Sequence, residues 1–346
     1  MTLGKYFQNN GEGSTKVNCV VCDSNRYTPL FHIPPRRIVT CSNCDHEYVN
    51  PIFSPKDIPE CIFHSTDESS IGTQTDITYL AKIFHKYDIK ERKLLDLGCG
   101  LGRLESGLIG LGWAPQSVYL MDNSERNVKV ARKKYPLSTV ICGDAQERIG
   151  FNDYFDCILM VEFLEHLSNP KEALKNALTA LKNDGILIIR GLPNNDSLEA
   201  FIGRERWKMR QFIHHYHFFN HSTFSTFVKD FADVSVLEFG TFLQEGYHFY
   251  DVARIARNIG VVKESRGDEH TTYDDNVIMT AELTNLVLAK IESVDFEDYK
   301  HRDKLPKRQL TLQLSTEDIK NFFNTISLNQ FLSPDFSVVM RKKQIK

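Results

Sequence analysis

The sequence has no run of about 20 apolar residues, the length that a membrane-spanning helix needs. The first ten residues also lack the apolar stretch of a secretory signal, so we expect a cytoplasmic protein. Neither sign of charge is in excess: the formal net charge of the 346 residues is -3, with acids and bases interleaved. This balance makes nucleic acid an improbable partner without excluding it, because a local basic patch stays possible. No repeat of solenoid length is present, and the oligomeric state stays open.

Cysteine is present in number, and its spacing is informative. Four of the eight cysteines form two Cys-x2-Cys pairs, namely Cys19, Cys22, Cys41 and Cys44. In a reducing compartment this spacing is typical of a structural zinc site, in which four thiolates close the shell of one ion. Four unligated thiols or a redox pair are the alternatives. His46, next to the second pair, is interpreted as a solvent-exposed side chain rather than a ligand.

Composition divides the chain into five segments. A polar arm precedes the cysteine module, a connector with three prolines and a helix follows it, and a region of alternating apolar and amphipathic stretches comes next. The last segment is predicted to be a helical insertion that ends in a final strand. The predicted boundaries are 1–16, 17–50, 51–92, 93–243 and 244–346.

The alternation in the central region predicts βαβ units and a mainly parallel sheet. Two further strand-like runs, 234–239 and 336–340, would complete seven strands, with the last strand antiparallel and the run at 336–340 at an edge. The predicted parallel strands are 93–97, 117–121, 139–141, 155–160 and 185–190. The predicted helices of this part are 77–87, 126–134 and 170–182, the last of them ended by Asp184-Gly185.

A glycine-rich turn follows the first of these strands, in the sequence Asp96-Leu-Gly-Cys-Gly-Leu-Gly102. Glycine at a strand-to-helix turn allows close approach of the backbone to a ligand. Asp122 ends the next strand about 20 residues later, where a carboxylate can accept hydrogen bonds from a ribose. The turn therefore predicts a nucleotide-like ligand, against the alternative of a turn that only packs tightly. The Gly-x-Gly-x-x-Gly fingerprint of dinucleotide oxidoreductases is not met, because Arg103 stands at the third glycine position.

These motifs resemble those of the class I S-adenosylmethionine (SAM) dependent methyltransferases, whose glycine motif has the same spacing. The resemblance extends to Gly143-Asp144-Ala145-Gln146, to the segment from Val161 to His166, and to Leu181-Lys-Asn-Asp-Gly185, a degraded form of the family's Leu-Lys-Pro-Gly-Gly turn. It implies a Rossmann-like α/β fold, methyl transfer, and SAM as cofactor. The residues that it places at the cofactor are Asp96, Gly98, Gly100, Gly102, Asp122, Asp144, Ala145 and Glu162.

Glu162, Glu165 and His166 have the i, i+3, i+4 spacing of one helical face. They are predicted to bind a divalent cation, or to make His166 a general base oriented by Glu165. The same Glu-x-x-Glu-His pattern occurs in ubiquinone-pathway O-methyltransferases and small-RNA 2′-O-methyltransferases, where the resemblance implies a metal. The alternative is that Glu165 and His166 only support the next loop.

A second group of histidines follows the fifth strand, in the segment from His214 to His221. It resembles a motif of sugar and quinone methyltransferases, in which His215 is the predicted catalytic residue. The basic run from Arg204 to Arg210 is interpreted as a solvated loop, or as a clamp for an acidic acceptor. With the cysteine module, the resemblance favours a small-molecule acceptor such as a sugar, a nucleotide-linked sugar or a surface-glycan precursor. An RNA 2′-O-methyltransferase and an inactive zinc-bearing scaffold are the alternatives.

Overall fold

The computed structural model describes residues 15–34, 36–52, 71–89, 92–197, 200, 205, 207–241 and 335–344. Residues 1–14 of the predicted arm, 53–70 of the predicted connector and the predicted helical segment 244–332 lie outside the described residues. None of the helices in the described part is both long and apolar enough to cross a membrane.

The described chain has eleven strands, six helices and two short 3-10 turns, at Pro115–Ser117 and Leu164–His166. The strands are β1 (Tyr27–Ile33), β2 (Arg36–Cys41), β3 (Glu47–Val49), β4 (Leu94–Leu97), β5 (Val118–Asp122), β6 (Thr139–Cys142), β7 (Phe155–Val161), β8 (Leu181–Pro193), β9 (His217–Phe218), β10 (Val234–Thr241) and β11 (Asp335–Lys342). The helices are α1 (Ile71–Lys86), α2 (Glu105–Gly110), α3 (Glu125–Lys134), α4 (Pro170–Ala180), α5 (Lys208–Gln211) and α6 (His221–Val228).

Seven strands form the central sheet in the order β10-β11-β8-β7-β4-β5-β6. The strands β4 to β8 are parallel, whereas β11 runs antiparallel to both β8 and β10. This confirms the predicted Rossmann-like sheet of seven strands with an antiparallel last strand. The prediction that residues 336–340 form an edge strand is wrong, because β11 lies between two strands and β10 is the edge. The buried, apolar face of Phe336, Val338 and Met340 explains this inner position.

Local capping sets the starts of two helices. The side chain of Ser124 accepts a hydrogen bond from the backbone of Asn127 and begins α3, and Asn169 does the same for Glu172 at the start of α4. The predicted end of α4 at 182 is wrong. The helix ends at Ala180, because Leu181 is extended, fully buried and paired with Phe155 of β7. Asp184, with a φ of 62°, instead lies within β8 at an irregularity of the register.

A second sheet of four antiparallel strands has the order β1-β2-β3-β9. Its first three strands come from the amino-terminal part of the described chain. Its strand β9 comes from the segment of predicted catalytic histidines, and it pairs with β3 through Glu47 with Phe218 and Tyr48 with His217. The buried side chains Cys19, Val21 and Tyr48 also belong to the same apolar cluster as the strands of the central sheet. The cysteine segment therefore folds against the central sheet and shares its core.

Candidate functional site

The glycine turn after β4 has a backbone that only glycine adopts at low cost. Gly98, Gly100 and Gly102 have φ values of 82°, 57° and 80°. A Cβ on Gly98 would lie 2.1 Å from the ring of Phe163, and a Cβ on Gly102 would lie 2.6 Å from the ring of Tyr135. Both the backbone conformation and the packing therefore require glycine at these two positions.

Asp122, at the end of β5, faces this turn. Its Oδ2 accepts a hydrogen bond of 2.9 Å from the backbone N–H of Gly100, and its Oδ1 accepts one of 2.9 Å from Ser124. The carboxylate thus lies at the carboxyl ends of the neighbouring parallel strands β4 and β5. This arrangement fits the predicted role in binding a ribose, because the carboxyl edge of such a sheet is where nucleotide-like ligands bind.

Asp96 is almost completely buried at the end of β4. Its Oδ2 has no hydrogen-bond partner among the described residues. Burial raises the pKa of this carboxyl to about 7, and the nearby Arg103 guanidinium opposes part of that shift. A buried, unpartnered acid is costly unless a donor or cation reaches it. The residue therefore suits a ligand that carries a positive charge.

Asp144 and Ala145 follow β6 at the same carboxyl edge of the sheet. The backbone N–H of Gly143 donates to the carbonyl of Asp122 at 3.0 Å, which brings this loop next to the end of β5. The Asp144 carboxylate accepts from the backbone of Gln146 at 2.8 Å, and the Ala145 carbonyl accepts from Asn176 at 2.8 Å. The predicted cofactor residues after β4, β5 and β6 therefore lie along one edge of the sheet.

The prediction that Glu162, Glu165 and His166 share one helical face is wrong. Glu162 has a φ of 51°, and only Leu164–His166 forms a turn of 3-10 helix. The Glu162 carboxylate points to Arg103, whose guanidinium lies 3.3 Å away, and its side chain is 58% exposed. The Glu165 side chain is 2% exposed instead. The left-handed residue at 162 turns the first carboxylate away from the other two side chains.

His166 lies instead beside His214 and His215. One ring nitrogen from each of the three lies within 4.8 Å of the others, and the ring centroids are 4.8 to 5.1 Å apart. Burial lowers the pKa of His166 to about 4 and that of His214 to about 3, and it lowers the pKa of His215 well below its usual range. The three rings are therefore neutral at pH 7. We name this group the histidine cluster.

Arg36 of β2 supports the histidine cluster from the small sheet. Its guanidinium donates to the backbone carbonyls of Arg210, Phe212 and His215 at 2.5, 2.6 and 3.1 Å. Burial lowers the pKa of Arg36 to about 10, so it stays charged at neutral pH. No sequence motif marks this residue, because its partners are backbone atoms more than 170 positions away.

The basic run before the cluster includes Arg210, whose position contradicts both sequence interpretations. The Arg210 guanidinium is buried and donates to the carboxylate of Glu47 in β3 at 2.7 Å and to the side chain of Asn195. It therefore joins the small sheet to the central one, and it neither lies in solvent nor faces an acceptor. Arg204 and Arg206 lie outside the described residues.

The four predicted metal-binding cysteines converge. The sulfurs of Cys19 and Cys44 are 3.6 Å apart and those of Cys22 and Cys41 are 3.5 Å apart, with all four within 4.8 Å of one another. These separations exceed an S–S bond of about 2.05 Å and match the roughly 3.8 Å between thiolates around a tetrahedral zinc ion. Four sulfur donors in this arrangement suit a closed, structural zinc site.

The two Cys-x2-Cys turns have the same backbone design. Asp23 and Asp45 each follow the second cysteine of a pair, with φ values of 58° and 60°. Each donates its backbone N–H to the carbonyl of the first cysteine, at 2.8 Å to Cys19 and at 3.1 Å to Cys41. Both pairs of thiols are thus held on compact turns that face each other.

The interpretation of His46 as an exposed side chain is wrong. The residue is fully buried, and its Nε2 lies 3.3 Å from Nδ1 of His217 in β9. The Nε2 of His217 in turn lies 3.1 Å from the carbonyl oxygen of Leu167. The packing of β9 against β3 explains this burial, because it places both rings between the two sheets.

The matches to known proteins concern the central region. Residues 95–189 match the family described as Methyltransferase domain. The ubiquinone biosynthesis O-methyltransferase of Pelagibacter ubique is 33% identical over 117 residues, which are 33% of this chain and 47% of that protein. The (S)-coclaurine N-methyltransferase of Papaver somniferum is 27% identical over 134 residues, 36% of each chain. This chain thus spans about half, or less, of the length of the curated relatives that it matches.

A solved structure of a SAM-dependent methyltransferase from Archaeoglobus fulgidus is 18% identical, with a TM-score of 0.40 over 77% of this chain and 94% of that one. The assignment of the central domain therefore depends on the matched family and on the strand order observed here.

Proposed function

We propose that this chain, whose core is a class I SAM-dependent methyltransferase domain, transfers a methyl group from SAM to a small-molecule acceptor. The observation that carries the proposal is the contact between Asp122 and the backbone of Gly100, within a turn of three left-handed glycines. SAM supplies a methyl group made electrophilic by its sulfonium. The protein supplies proximity, orientation and removal of a proton from the acceptor.

The roles of the cofactor residues follow from their positions. Asp122 accepts the ribose hydroxyls, and the loop with Asp144 and Ala145 contacts the base. The buried carboxyl of Asp96 lies where a cationic part of the cofactor would compensate it. The positive φ angles of Gly98, Gly100 and Gly102 give the turn its shape, in which the backbone can approach the ligand closely.

The proposed catalytic residues are His215, His166 and Glu165. Neutral imidazole rings can accept a proton, and His166 follows β7, the strand that pairs with β4 before the glycine turn. The His166 side chain is 21% exposed, whereas His215 is buried, so His166 is the more accessible of the two proposed bases. Glu165 lies beside it, with its carboxylate 3.7 Å from Nε2 of His166.

The proposed acceptor is a sugar or a nucleotide-linked sugar, methylated on oxygen or carbon. Support comes from the His215 segment and the cysteine module, which resemble those of sugar methyltransferases. The named relatives act in ubiquinone biosynthesis and on coclaurine, which also favours a small molecule over RNA. We propose in addition that Cys19, Cys22, Cys41 and Cys44 hold a structural zinc ion.

Isothermal titration calorimetry with SAM tests the proposal. The wild-type chain should bind SAM, and Asp122→Ala should weaken binding at least tenfold, since a hydrogen bond to a charged group contributes about 1.5–3 kcal/mol. Asp184→Asn is the matched control, because Asp184 is an exposed acid in β8. Absence of SAM binding by the wild type would contradict the proposal and favour an inactive scaffold. Methylation of RNA in place of a sugar, with affinity that falls steeply with salt, would contradict the acceptor class.

A further inference from the structure

We propose that His166, His214 and His215 form a second metal site, which binds a zinc-like divalent cation and presents it to the hydroxyl group of the acceptor. The identity of that hydroxyl rests on the proposed function, whereas the metal site itself does not. The site replaces the carboxylate-rich set of Glu162, Glu165 and His166 with a set of three imidazoles, because Glu162 points to Arg103. With the metal bound, His166 and His215 act as ligands, and Glu165 is the remaining base among the proposed catalytic residues.

The positions of the rings suit a single small cation. Tetrahedral zinc with bonds of about 2.05 Å to nitrogen places its ligand atoms about 3.4 Å apart. The ring nitrogens of the histidine cluster already lie within 4.8 Å of one another, so small side-chain rotations would bring them to this spacing. Two of the ligands are adjacent in sequence, and the third follows β7. The backbone N–H of Tyr216 donates to the carbonyl of Glu165 at 2.7 Å and fixes the two segments to each other.

The hydrogen bonds leave ring nitrogens available for a metal. Nδ1 of His166 lies 3.1 Å from the carbonyl oxygen of His214. A carbonyl only accepts hydrogen bonds, so Nδ1 carries the proton and Nε2 carries the lone pair. Nδ1 of His215 is buried and has no hydrogen-bond partner among the described residues. A buried polar atom of this kind is costly unless a ligand satisfies it.

The buried carboxyl group of Glu165 lies beside the histidine cluster, where a cation would stabilise its ionised form. Its Oε1 lies 3.7 Å from Nε2 of His166. Its other oxygen, Oε2, is buried and has no hydrogen-bond partner in the part of the chain that the structure describes. The distance of 3.7 Å between Oε1 of Glu165 and Nε2 of His166 is close to that between two ligands of one ion. A cation at the cluster would therefore lie near the carboxylate.

The donor set indicates both the metal and its function. Imidazole nitrogens suit zinc and similar transition metals, whereas magnesium and calcium prefer oxygen ligands. Three protein ligands leave one position open, which is typical of a catalytic rather than a structural zinc. A metal held there would lower the pKa of an acceptor hydroxyl in that position, and Glu165 would accept the proton. The resulting oxygen forms a bond to the methyl carbon while the carbon–sulfur bond breaks, and the sulfur keeps that electron pair as a neutral thioether.

Metal binding to the full chain tests the site without any measurement of activity. We expect zinc titration, followed by metal analysis, to give one more bound equivalent for the wild type than for His214→Gln. His85→Gln, which changes an exposed histidine in α1, should retain the wild-type value. An equal zinc content and equal zinc affinity in the wild type and in His214→Gln would overturn the inference.

A second measurement on the unchanged protein covers the case in which His214→Gln fails to fold. Titration of the wild type with Co2+ should give one species with the near-ultraviolet charge transfer of thiolate ligands. A further equivalent should add visible ligand-field bands without more thiolate charge transfer. The absence of that further species would also overturn the inference. SAM calorimetry on the same samples separates the two proposals, since SAM binding without the second metal contradicts only this one.

Discussion

The guanidinium of Arg210 donates a hydrogen bond of 2.7 Å to the carboxylate of Glu47, and both side chains are 1% exposed. Glu47 belongs to β3, which follows the second cysteine pair, whereas Arg210 lies four residues before His214. The pair therefore links the cysteine segment to the histidine cluster. Together with the hydrogen bonds of Arg36, it connects the small sheet β1-β2-β3-β9 to the proposed acceptor site.

Removal of one charge from this pair should destabilise the protein strongly. Glu47→Gln leaves the Arg210 guanidinium buried without its counter-charge, and such a change costs about 3–5 kcal/mol. Urea unfolding measures the loss of free energy. Glu172→Gln is the control, because its ion pair with Lys175 is exposed and contributes about 0.5 kcal/mol or less. Equal losses in the two variants would contradict this account.

Alanine at Gly98 should be more costly than alanine at Gly112. Both residues have a positive φ, which costs about 1–2 kcal/mol for a residue with a Cβ. At Gly98 the new Cβ also meets Phe163 at 2.1 Å, whereas at Gly112 nothing lies within 4 Å. The difference in unfolding free energy between the variants therefore measures the collision alone. Identical values would show that Phe163 moves aside freely.

SAM affinity should depend on pH through Asp96. Its pKa is about 7 in the folded protein, and a cationic ligand binds the ionised form more tightly. Ionisation rises from about one tenth at pH 6 to about nine tenths at pH 8, so affinity should increase about tenfold over this range. Calorimetry at several pH values measures the profile. Asp96→Asn should remove the dependence, and an unchanged profile in that variant would assign it to another group.

The stability of the apo protein should change with pH in the opposite sense. The folded-state pKa of Asp96 lies above the unfolded value of about 3.8, so the protonated acid is favoured by folding. This contribution is complete below about pH 4 and is lost as the pH rises through about 7. Asp96→Asn should lack this decline in urea unfolding between pH 5 and pH 8. A parallel decline in both proteins would contradict the prediction.

Loss of the proposed zinc should reduce turnover of the acceptor and leave SAM binding almost unchanged. Cys22→Ser removes one of the four thiolates, whereas Cys142→Ser changes an exposed cysteine outside the cluster. We expect Cys22→Ser to lose zinc and to bind SAM within about threefold of wild type, because β4 and β5 hold the cofactor turn. Its acceptor turnover should fall at least tenfold, since β3 and Arg36 hold the histidine segment. Retention of zinc by this variant would contradict the cysteine site.

The sequence was most informative where a function depends on contiguous residues. The glycine turn, Asp122 and the cysteine pairs are local patterns, and the structure places each of them as the spacing predicts. The strands of the central sheet were also predictable, because buried parallel strands are short apolar runs.

The histidine cluster could not be predicted in its actual form. The helical face expected for Glu162, Glu165 and His166 fails at one backbone angle, which the sequence does not specify. The approach of His214 and His215 to His166 depends on the pairing of β9 with β3, a contact between segments far apart in sequence. Periodicity carries no information about such contacts, so Arg36 and the burial of His46 were missed for the same reason.

The pairing of β10 with β11 has a consequence for how the chain tolerates change. Thr241 lies opposite Phe336 in adjacent antiparallel strands, so the two described residues that flank segment 242–334 most closely, Thr241 and Asp335, lie at neighbouring positions of the sheet. Closing a chain between two adjacent points depends only weakly on its length. The sheet thus offers a fixed docking point at which segments of different length can be exchanged during evolution without a change of strand register. Such an exchange would leave the glycine turn and the histidine cluster unaltered, because both lie outside residues 242–334.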